Sequence, residues 1–329
     1  MKIFITGATG FIGSRLALWW LEKGHQVTAL GQENTHAEAE NKRLIETKGG
    51  NVVLASVTER EKLAEAMRGA ELVYHLAAAQ HEANVPDQRF WDVNVTGTKN
   101  ALEAGVQAGV RRFIHGSTIG VYGTALAGEI DEHSVVQPDN VYGVTKLEGE
   151  KLVRSFQDRL PCAVIRISET YGPGDRRLLK LFRAIKRGVF VMIGPGTNLH
   201  HLIYIDDLLT GLFLAASVET AVGGTFVVAG KEALTTNEMV AVIAEQLGTS
   251  VPKIRVPLSP FLLLAAATET TLRPLGIQPP LHRRRMDFFK KSFVFSQEHA
   301  RTVLGFVPQY GFREGVAETA KWYAEKGYL

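Results

Sequence analysis

The sequence predicts an α/β fold built on a doubly wound, mostly parallel sheet. Three observations carry that expectation. Short apolar runs rich in β-branched residues alternate with segments of helical period over the first 170 or so residues. The earliest run, Lys2–Thr6, passes directly into Gly7-Ala-Thr-Gly-Phe-Ile-Gly13 and then into a helix. Beyond about residue 170 the alternation fades into glycine- and proline-punctuated chain, which predicts a second, smaller unit.

Taken in order, Lys2-Ile-Phe-Ile-Thr6 reads as a buried strand. Ile12, Leu16, Trp19 and Trp20 then recur at helical spacing, Gly24 closes the helix, and His25–Leu30 is a second strand. Strand, glycine turn, helix and strand make one βαβ unit of the Rossmann type. Gly7 permits a tight turn, Gly10 lets the backbone approach a pyrophosphate, and Gly13 lets the helix pack close to the strand. Thr9, Phe11 and Ile12 complete the turn, and the free N–H groups of the first helical turn face the phosphates. A glycine triplet alone says little; one that follows a strand and opens a helix predicts dinucleotide binding.

The remaining elements follow the same rhythm. Residues 31–48 give a loop and a helix, Asn51–Leu54 a third strand, and 59–68 a helix with Leu63 and Met67 on one face. Glu71–Leu76 is a fourth strand ending in Ala77-Ala-Ala79; a long helix over 87–108 breaks at Gly109. Arg112–His115 is a fifth strand ending at Gly116-Ser-Thr118, 141–158 a helix, and Cys162–Arg166 a sixth strand. Ligands of such sheets sit beyond the carboxyl ends of the strands, where the glycine turn, Ala77–Ala79, Ser117–Thr118 and the stretch after Arg166 all lie. A basic helix over 178–187, returns to the sheet at Leu202–Ile205 and Thr225–Val228, and a helical, proline-jointed remainder complete the chain. Residues 1–170, with 202–230, are expected to form the dinucleotide-binding domain, and 171–201 with 231–329 a discontinuous substrate-binding cap.

Composition narrows the class. The 329 residues are 45% hydrophobic and 22% charged, as in a globular protein, and a net charge of +3 is too small to argue for nucleic acid. The single cysteine, Cys162, sits in an apolar run and reads as a buried strand thiol. No metal site is expected. The first residues are core strand rather than a signal peptide, and Phe261–Ala267 is too short to span a bilayer, so the cytoplasm is the default location.

Tyr142-Gly-Val-Thr-Lys146 places a phenol and an ammonium at i and i+4, on one face of a helix that follows the fifth strand. A phenol titrating near pH 10 is a poor base at neutral pH, and a neighbouring lysine cation favours its phenolate. Here the chain resembles the extended short-chain dehydrogenase/reductases, the group of NAD-dependent epimerases, dehydratases and 3β-hydroxysteroid-dehydrogenase-like enzymes. The matching motifs are Thr6–Gly13, His75-Leu-Ala-Ala78, Asn94-Val-Thr-Gly-Thr98, Gly116–Gly123, Tyr142-x-x-x-Lys146, Tyr171-Gly-Pro-Gly174, Ile203–Asp207 and Leu304-Gly-Phe-x-Pro308. They cover nearly the whole chain in the family's order. The resemblance implies Tyr142 as acid/base, Lys146 as its partner and ribose ligand, and Thr118, with Ser117 beside it, as the hydroxyl that positions the substrate oxygen. It further implies cofactor contacts at Gly31, Gln32, Ser56, Val57, Leu76, Ala77 and Ala78, and a homodimer. His75 reads as a core histidine and Asn94 as a residue that orders its helix.

Three departures from the family matter. Gly31-Gln32 stands where NAD-using members carry an acid, so NADP is permitted; Glu33, Glu38 and Glu40 make that edge acidic and tilt the expectation slightly to NAD. Ser56 replaces an acid that reads adenine. Glu169 and the His200-His201 pair occupy places where nucleotide-sugar members put an Asn and an Arg for the substrate diphosphate. Glu169 and His201 are therefore expected to face a substrate of another kind. The expected function is an NAD(P)-dependent oxidoreductase exchanging hydride between nicotinamide and a secondary alcohol or ketone of a small, apolar molecule. A nucleotide-sugar epimerase or dehydratase is the alternative, with Arg176, Arg177 and Arg283–Arg285 as candidate phosphate ligands. A non-catalytic cofactor sensor is a third, and the Thr118/Tyr142/Lys146 set argues against it. The apolar 258–267 stretch is read as core, pocket lining or a contact with a membrane surface.

Overall fold

A computed structural model of the chain describes residues 1–80, 85–124, 128–272 and 288–329. Arg283–Arg285 lie outside the described residues. The strands β1 (Lys2–Thr6), β2 (Gln26–Gly31), β3 (Asn51–Leu54) and β4 (Leu72–His75) alternate with helices α1 (Phe11–Glu22), α2 (His36–Thr47) and α3 (Arg60–Ala66). Next come α4 (Asp87–Trp91) and α5 (Gly97–Ala108), joined through a π-helical turn, Asp92–Thr96. The helix expected over 87–108 is thus interrupted at Asn94, and it ends at Gly109, whose φ of 68° suits glycine. The core continues with β5 (Arg112–Thr118), the short β6 (Glu129–Ile130), α6 (Val141–Ser155) and β7 (Cys162–Ile167).

Seven strands form one parallel sheet in the order β12-β7-β5-β4-β1-β2-β3, with β12 (Thr225–Val228) at the edge. The order reverses between β1 and β4, which places the crevice for a ligand beyond Thr6 and His75. The sheet is apolar on both faces: Ile3, Phe4, Ile5, Val73, Tyr74, Phe113, Ile114, Ala163 and Ile165 are all buried. Cys162 is buried in β7, its thiol pushed up to about 12 by burial.

After β7 the elements shorten: β8 (Thr170–Tyr171), α7 (Leu179–Lys186), β9 (Met192–Ile193), β10 (Leu199–His200), β11 (Ile203–Tyr204) and α8 (Ile205–Ser217). The expected return to the sheet at Leu202–Ile205 does not occur. Ile203 and Tyr204 pair with Thr170 and Tyr171 in a ladder of their own, because α8 begins at Ile205 and leaves two residues of strand. β13 (Leu234–Thr235), α9 (Thr236–Gln246), β14 (Arg255–Val256), α10 (Leu258–Leu272), β15 (Val294–Phe295) and α11 (Phe312–Glu325) follow. A capping box at Thr235 and Glu238 starts α9. β9 pairs with β14 and β10 with β13, so 171–201 and 231–329 are interlaced, while β6 with β15 ties the last segment to the first 170 residues.

One polar cluster crosses the core. Glu150 on α6, fully buried, accepts from Arg166 Nε at 3.1 Å and Nη2 at 2.8 Å, and from Ser117 Oγ at 2.6 Å. Arg166 continues to the Tyr122 hydroxyl at 2.8 Å. Replacing Glu150 by leucine strands the Arg166 charge. Denaturant unfolding should then show a loss of about 3–5 kcal/mol, and an unchanged midpoint would mean that the pair does not hold α6 to the sheet.

Candidate active site

The glycine turn is fixed by contacts that leave no room for side chains. Gly7 has φ +67°, and a Cβ there would lie 2.8 Å from Ala77 N, so the ends of β1 and β4 touch where the strand order reverses. A Cβ on Gly13 would overlap the Gly7 carbonyl. Gly10 differs: its Cβ would meet the Gly7 oxygen alone, at 3.2 Å, and otherwise enter open space. Gly10 is also the N-cap of α1 and brings no side-chain cap, so the first N–H groups of the helix are left for an incoming anion. These features fit the pyrophosphate of a dinucleotide. On the far side, Gly172-Pro-Gly174 closes over Phe11: a Cβ on Gly174 would lie 3.0 Å from that ring, and Arg15 donates to Pro173 O at 3.3 Å.

Thr9 covers Gly31 and accepts from Gln32 N at 3.1 Å, so any side chain at position 31 would overlap the threonine. That is the physical reason a glycine stands there. The neighbouring acids have partners of their own. Glu38 accepts from Asn34 N and Thr35 Oγ1 as part of the α2 cap, Glu40 pairs with Arg176 and Lys326, and Glu33 lies 3.7 Å from Lys42. The acidic edge expected to disfavour a 2′-phosphate is therefore largely neutralised, and this argument for NAD lapses. Ser56 lies in the turn before α3, its N–H on Glu59 and its hydroxyl on Thr58, while buried Val57 packs against Gly97. Leu76, Ala77 and Ala78 line the exit of β4, half-buried.

A continuous hydrogen-bond chain joins this turn to α6. The Thr6 hydroxyl accepts from Leu76 N and Ala77 N, both at 3.1 Å, and so gives its proton to His75 Nδ1 at 2.9 Å. The other ring nitrogen of His75 reaches Thr98 Oγ1 at 3.0 Å, whose proton goes to Asn94 O. His75 is thus the neutral Nε2–H tautomer, and burial, helped by Lys146, holds it down to about 3. The Asn94 side chain clasps Ala79 through N–H and carbonyl at 2.8 and 3.1 Å and donates to Thr145 at 3.0 Å. Thr145 returns its proton to the carbonyl of Val141 or Tyr142.

On α6, Asn140 caps the helix through Gly143 N. Gly143 and Gly120 meet closely, which brings Tyr142 alongside Gly120: a Cβ there would lie 3.4 Å from Thr118 Oγ1 and 3.8 Å from the Tyr142 ring. Thr118 Oγ1 accepts from Gly120 N at 3.0 Å and keeps its own proton to donate. Lys146, 2% exposed, donates to Gly116 O at 2.6 Å, and burial lowers it to about 8 against the pull of Glu150. Thr118, Tyr142 and Lys146 thus come together at the carboxyl ends of β5 and α6's first turns. Ser117 does not join them: buried opposite Arg166, it gives its proton to Glu150, so the reading of Ser117 as a second catalytic or substrate hydroxyl is corrected.

Beyond β7, which pairs Ile167 with Thr118, the chain presents Glu169. His201, expected to face substrate, is buried with Nδ1 accepting from Phe295 N and Nε2 on Gly230 O, and that expectation is also corrected. His200, also buried, lies 3.3 Å from Glu169 Oε2 through Nδ1. Its Nε2 contacts Thr236 Oγ1 at 3.1 Å; that hydroxyl gives its proton to Asn198 Oδ1, and the Asn198 amide donates to the carbonyls of Phe288 and Lys291. The Asn198 amide also lies 3.1 Å from Nε2, so both ring nitrogens of His200 are enclosed by polar partners. Arg176 and Arg177 are also held elsewhere, Arg176 on Glu40 and Arg177 on Asp175 and the Thr170 carbonyl. Among the described residues no His, Cys, Asp and Glu cluster suits a metal.

A dinucleotide turn at the reversal of a parallel sheet, with a Tyr-x-x-x-Lys helix beside it, defines a short-chain dehydrogenase/reductase of the extended type. The chain belongs to the NAD dependent epimerase/dehydratase family, whose profile matches residues 3–229. It is 30% identical to UDP-glucose 4-epimerase of Mycolicibacterium smegmatis (strain ATCC 700084 / mc(2)155) over 99% of both chains. It is 28% identical to 3-beta-hydroxysteroid dehydrogenase of Mycolicibacterium neoaurum over 98% of this chain and 92% of that one. Among solved structures it resembles MoeE5 in complex with UDP-glucose and NAD, with a TM-score of 0.77 and 27% identity over 99% of both chains.

Two measurements check this geometry. Gly10→Val should leave the thermal midpoint nearly unchanged and abolish NAD binding in calorimetric titration; binding at parental strength would remove the turn from the cofactor site. Lys146→Met should stabilise the cofactor-free protein. Below pH 8 the lysine is charged in both folded and unfolded chains and only the folded one carries the desolvation cost. Between about 8 and 10.5 the folded chain loses the proton first, so the cost fades. Urea unfolding at pH 7 should show a gain on the order of 2–3 kcal/mol, shrinking by pH 10; a constant or negative difference would mean that Lys146 is well solvated.

Proposed function

We propose that the protein is an NAD-dependent oxidoreductase acting on the secondary alcohol or ketone carbon of an apolar substrate, as its 3β-hydroxysteroid dehydrogenase relative does by name. Bound nicotinamide supplies the hydride donor or acceptor. Thr118 donates to the substrate oxygen with the proton that its contact with Gly120 leaves available. Tyr142 exchanges the oxygen's proton, and Lys146, held at Gly116 O, favours the phenolate and holds ribose. The first turn of α1 binds the pyrophosphate, with Gln32, Ser56, Val57 and Leu76–Ala78 along the rest of the dinucleotide. The family and the NAD-bound neighbour support NAD.

The observation that carries the substrate class is the wall beyond Thr118, where Glu169 and buried His200 stand without the guanidinium fork a diphosphate calls for, and where Arg176 and Arg177 are committed to other partners. A second reading, epimerisation of a nucleotide sugar, is favoured by the full-length match to UDP-glucose 4-epimerase. The rest of the proposal applies to either, because both need Thr118, Tyr142 and Lys146.

Tyr142→Phe should lower turnover by roughly 10²–10⁴ with cofactor binding retained; normal turnover would assign the proton to another group. Screening the NAD-loaded protein against 3-hydroxysteroids, aryl ketones, UDP and TDP separates the two substrate classes. Turnover of the apolar alcohols with weak nucleotide binding is expected. Micromolar binding of UDP or TDP, competed by a nucleotide sugar, would transfer the assignment to epimerisation.

A further inference from the structure

Two segments of the chain that lie side by side carry no acid at all. Residues 178–198 contain Lys180, Arg183, Lys186 and Arg187, and 248–263 contain Lys253 and Arg255, and neither contains Asp or Glu. They meet through β9 and β14, with Met192 paired to Arg255, Ile193 to Val256, and Met192 N donating to Ile254 O. The apolar residues nearest this seam face outward. Val189 is 65% exposed, Val251 48%, Ile254 59% and Leu263, on α10, 74%. They are four of the twelve large hydrophobics exposed in the described chain, gathered within one seam and the helix that follows it.

The cations around them are not neutralised. Lys186, Arg187 and Lys253 are exposed and their side chains make no hydrogen bond or ion pair with any described residue, and among the described residues the Arg255 side chain donates only to the Pro195 carbonyl and the Asn237 amide oxygen. Helix-dipole complementarity accounts for Lys186 and Arg187 at the end of α7, but it does not reach Lys253, which precedes β14. Outward apolar side chains interleaved with unpaired cations are the chemistry of a protein surface that lies against anionic lipid headgroups, the apolar tips entering the interface and the cations meeting lipid phosphates. No helix among the described residues is long and apolar enough to cross a membrane, so the contact would be superficial.

We propose that this seam, with Val189, Ile254 and Leu263 as apolar anchors and Lys186, Arg187 and Lys253 as cationic ones, docks the protein on an anionic lipid surface. The inference does not depend on which substrate is turned over, because the seam shares no residue with Thr118, Tyr142 or Lys146.

Flotation of the NAD-loaded full chain with two vesicle types tests it. Vesicles of phosphatidylcholine with about 30% phosphatidylserine should retain the protein, and pure phosphatidylcholine should not. Raising salt from about 0.05 to 0.5 M should release it. Ile254→Asp and the pair Lys186→Glu/Lys253→Glu should each reduce retention at least about tenfold, since each cation near an anionic surface is worth roughly fivefold. Both variants should keep the parental thermal midpoint and NAD affinity, which separates loss of docking from loss of fold. Absence of binding to the anionic vesicles overturns the proposal. So does retention unchanged in both variants, or a fall in oligomer size by light scattering in Ile254→Asp, which would assign the seam to a second copy of the chain.

Discussion

The hydrogen-bond chain from Thr6 to Thr145 is the constraint on which the site depends. It starts where β1 and β4 touch, with the two N–H groups after His75 held by the Thr6 hydroxyl. It passes through a histidine that burial keeps neutral, and ends one residue before Lys146. The partners on either side of His75 and Asn94 are all committed, so the tautomer of His75 and the rotamer of Asn94 are determined rather than free. The π-helical turn at Asp92–Thr96 follows from the same demand: an Asn that must reach both Ala79 and Thr145 displaces the regular helical ladder. The cofactor turn and the Tyr142 helix are thereby fixed to one another across the sheet by polar contacts, while the apolar core fixes each of them to its strand.

The helix α6, which carries Tyr142 and Lys146, is held at three heights by groups of different kinds. Asn140 satisfies its first N–H groups, Thr145 faces Asn94 in the middle, and Glu150 locks it to Arg166 below. Lys146 lies between a carbonyl and that carboxylate in a nearly water-free position, which lowers it toward the working range. A buried lysine with a depressed titration point is destabilising to the fold and useful to a phenol beside it. The structure keeps the cost tolerable by placing Glu150, one helical turn on, at the same face.

The glycine turn, the alternation of strands and helices and the Tyr-x-x-x-Lys pair were legible in the sequence because each is a local pattern with one mechanical solution. What was not legible depended on which of two adjacent residues faces the site. Ser117 and Thr118 are equivalent hydroxyls as letters; in β5 they alternate, and Ser117 points to Glu150. His200 and His201 alternate in the same way, and His201 is taken by the backbone of Phe295 and Gly230. A signal for the first case existed: Tyr142, Lys146 and Glu150 recur every four residues on α6, so a buried acid below the lysine, needing a donor, was readable. The partners of Glu38 and Glu40 had no such signal, since Arg176 and Lys326 come from distant parts of the chain.

The Glu169–His200 pair changes the electrostatic argument about substrate. Its imidazole is enclosed by Thr236 and Asn198, so it is not free to turn toward a phosphate as a donor. Discrimination must come from what the wall fails to offer. A diphosphate leaving water needs several charge-assisted donors, and a carboxylate beside an imidazole that is already hydrogen-bonded replaces few of the waters that would be lost. A hydroxyl or an apolar ring system loses far less solvation on entering the same space. That difference in solvation is the physical reason why the proposed oxidoreductase reading expects an uncharged substrate.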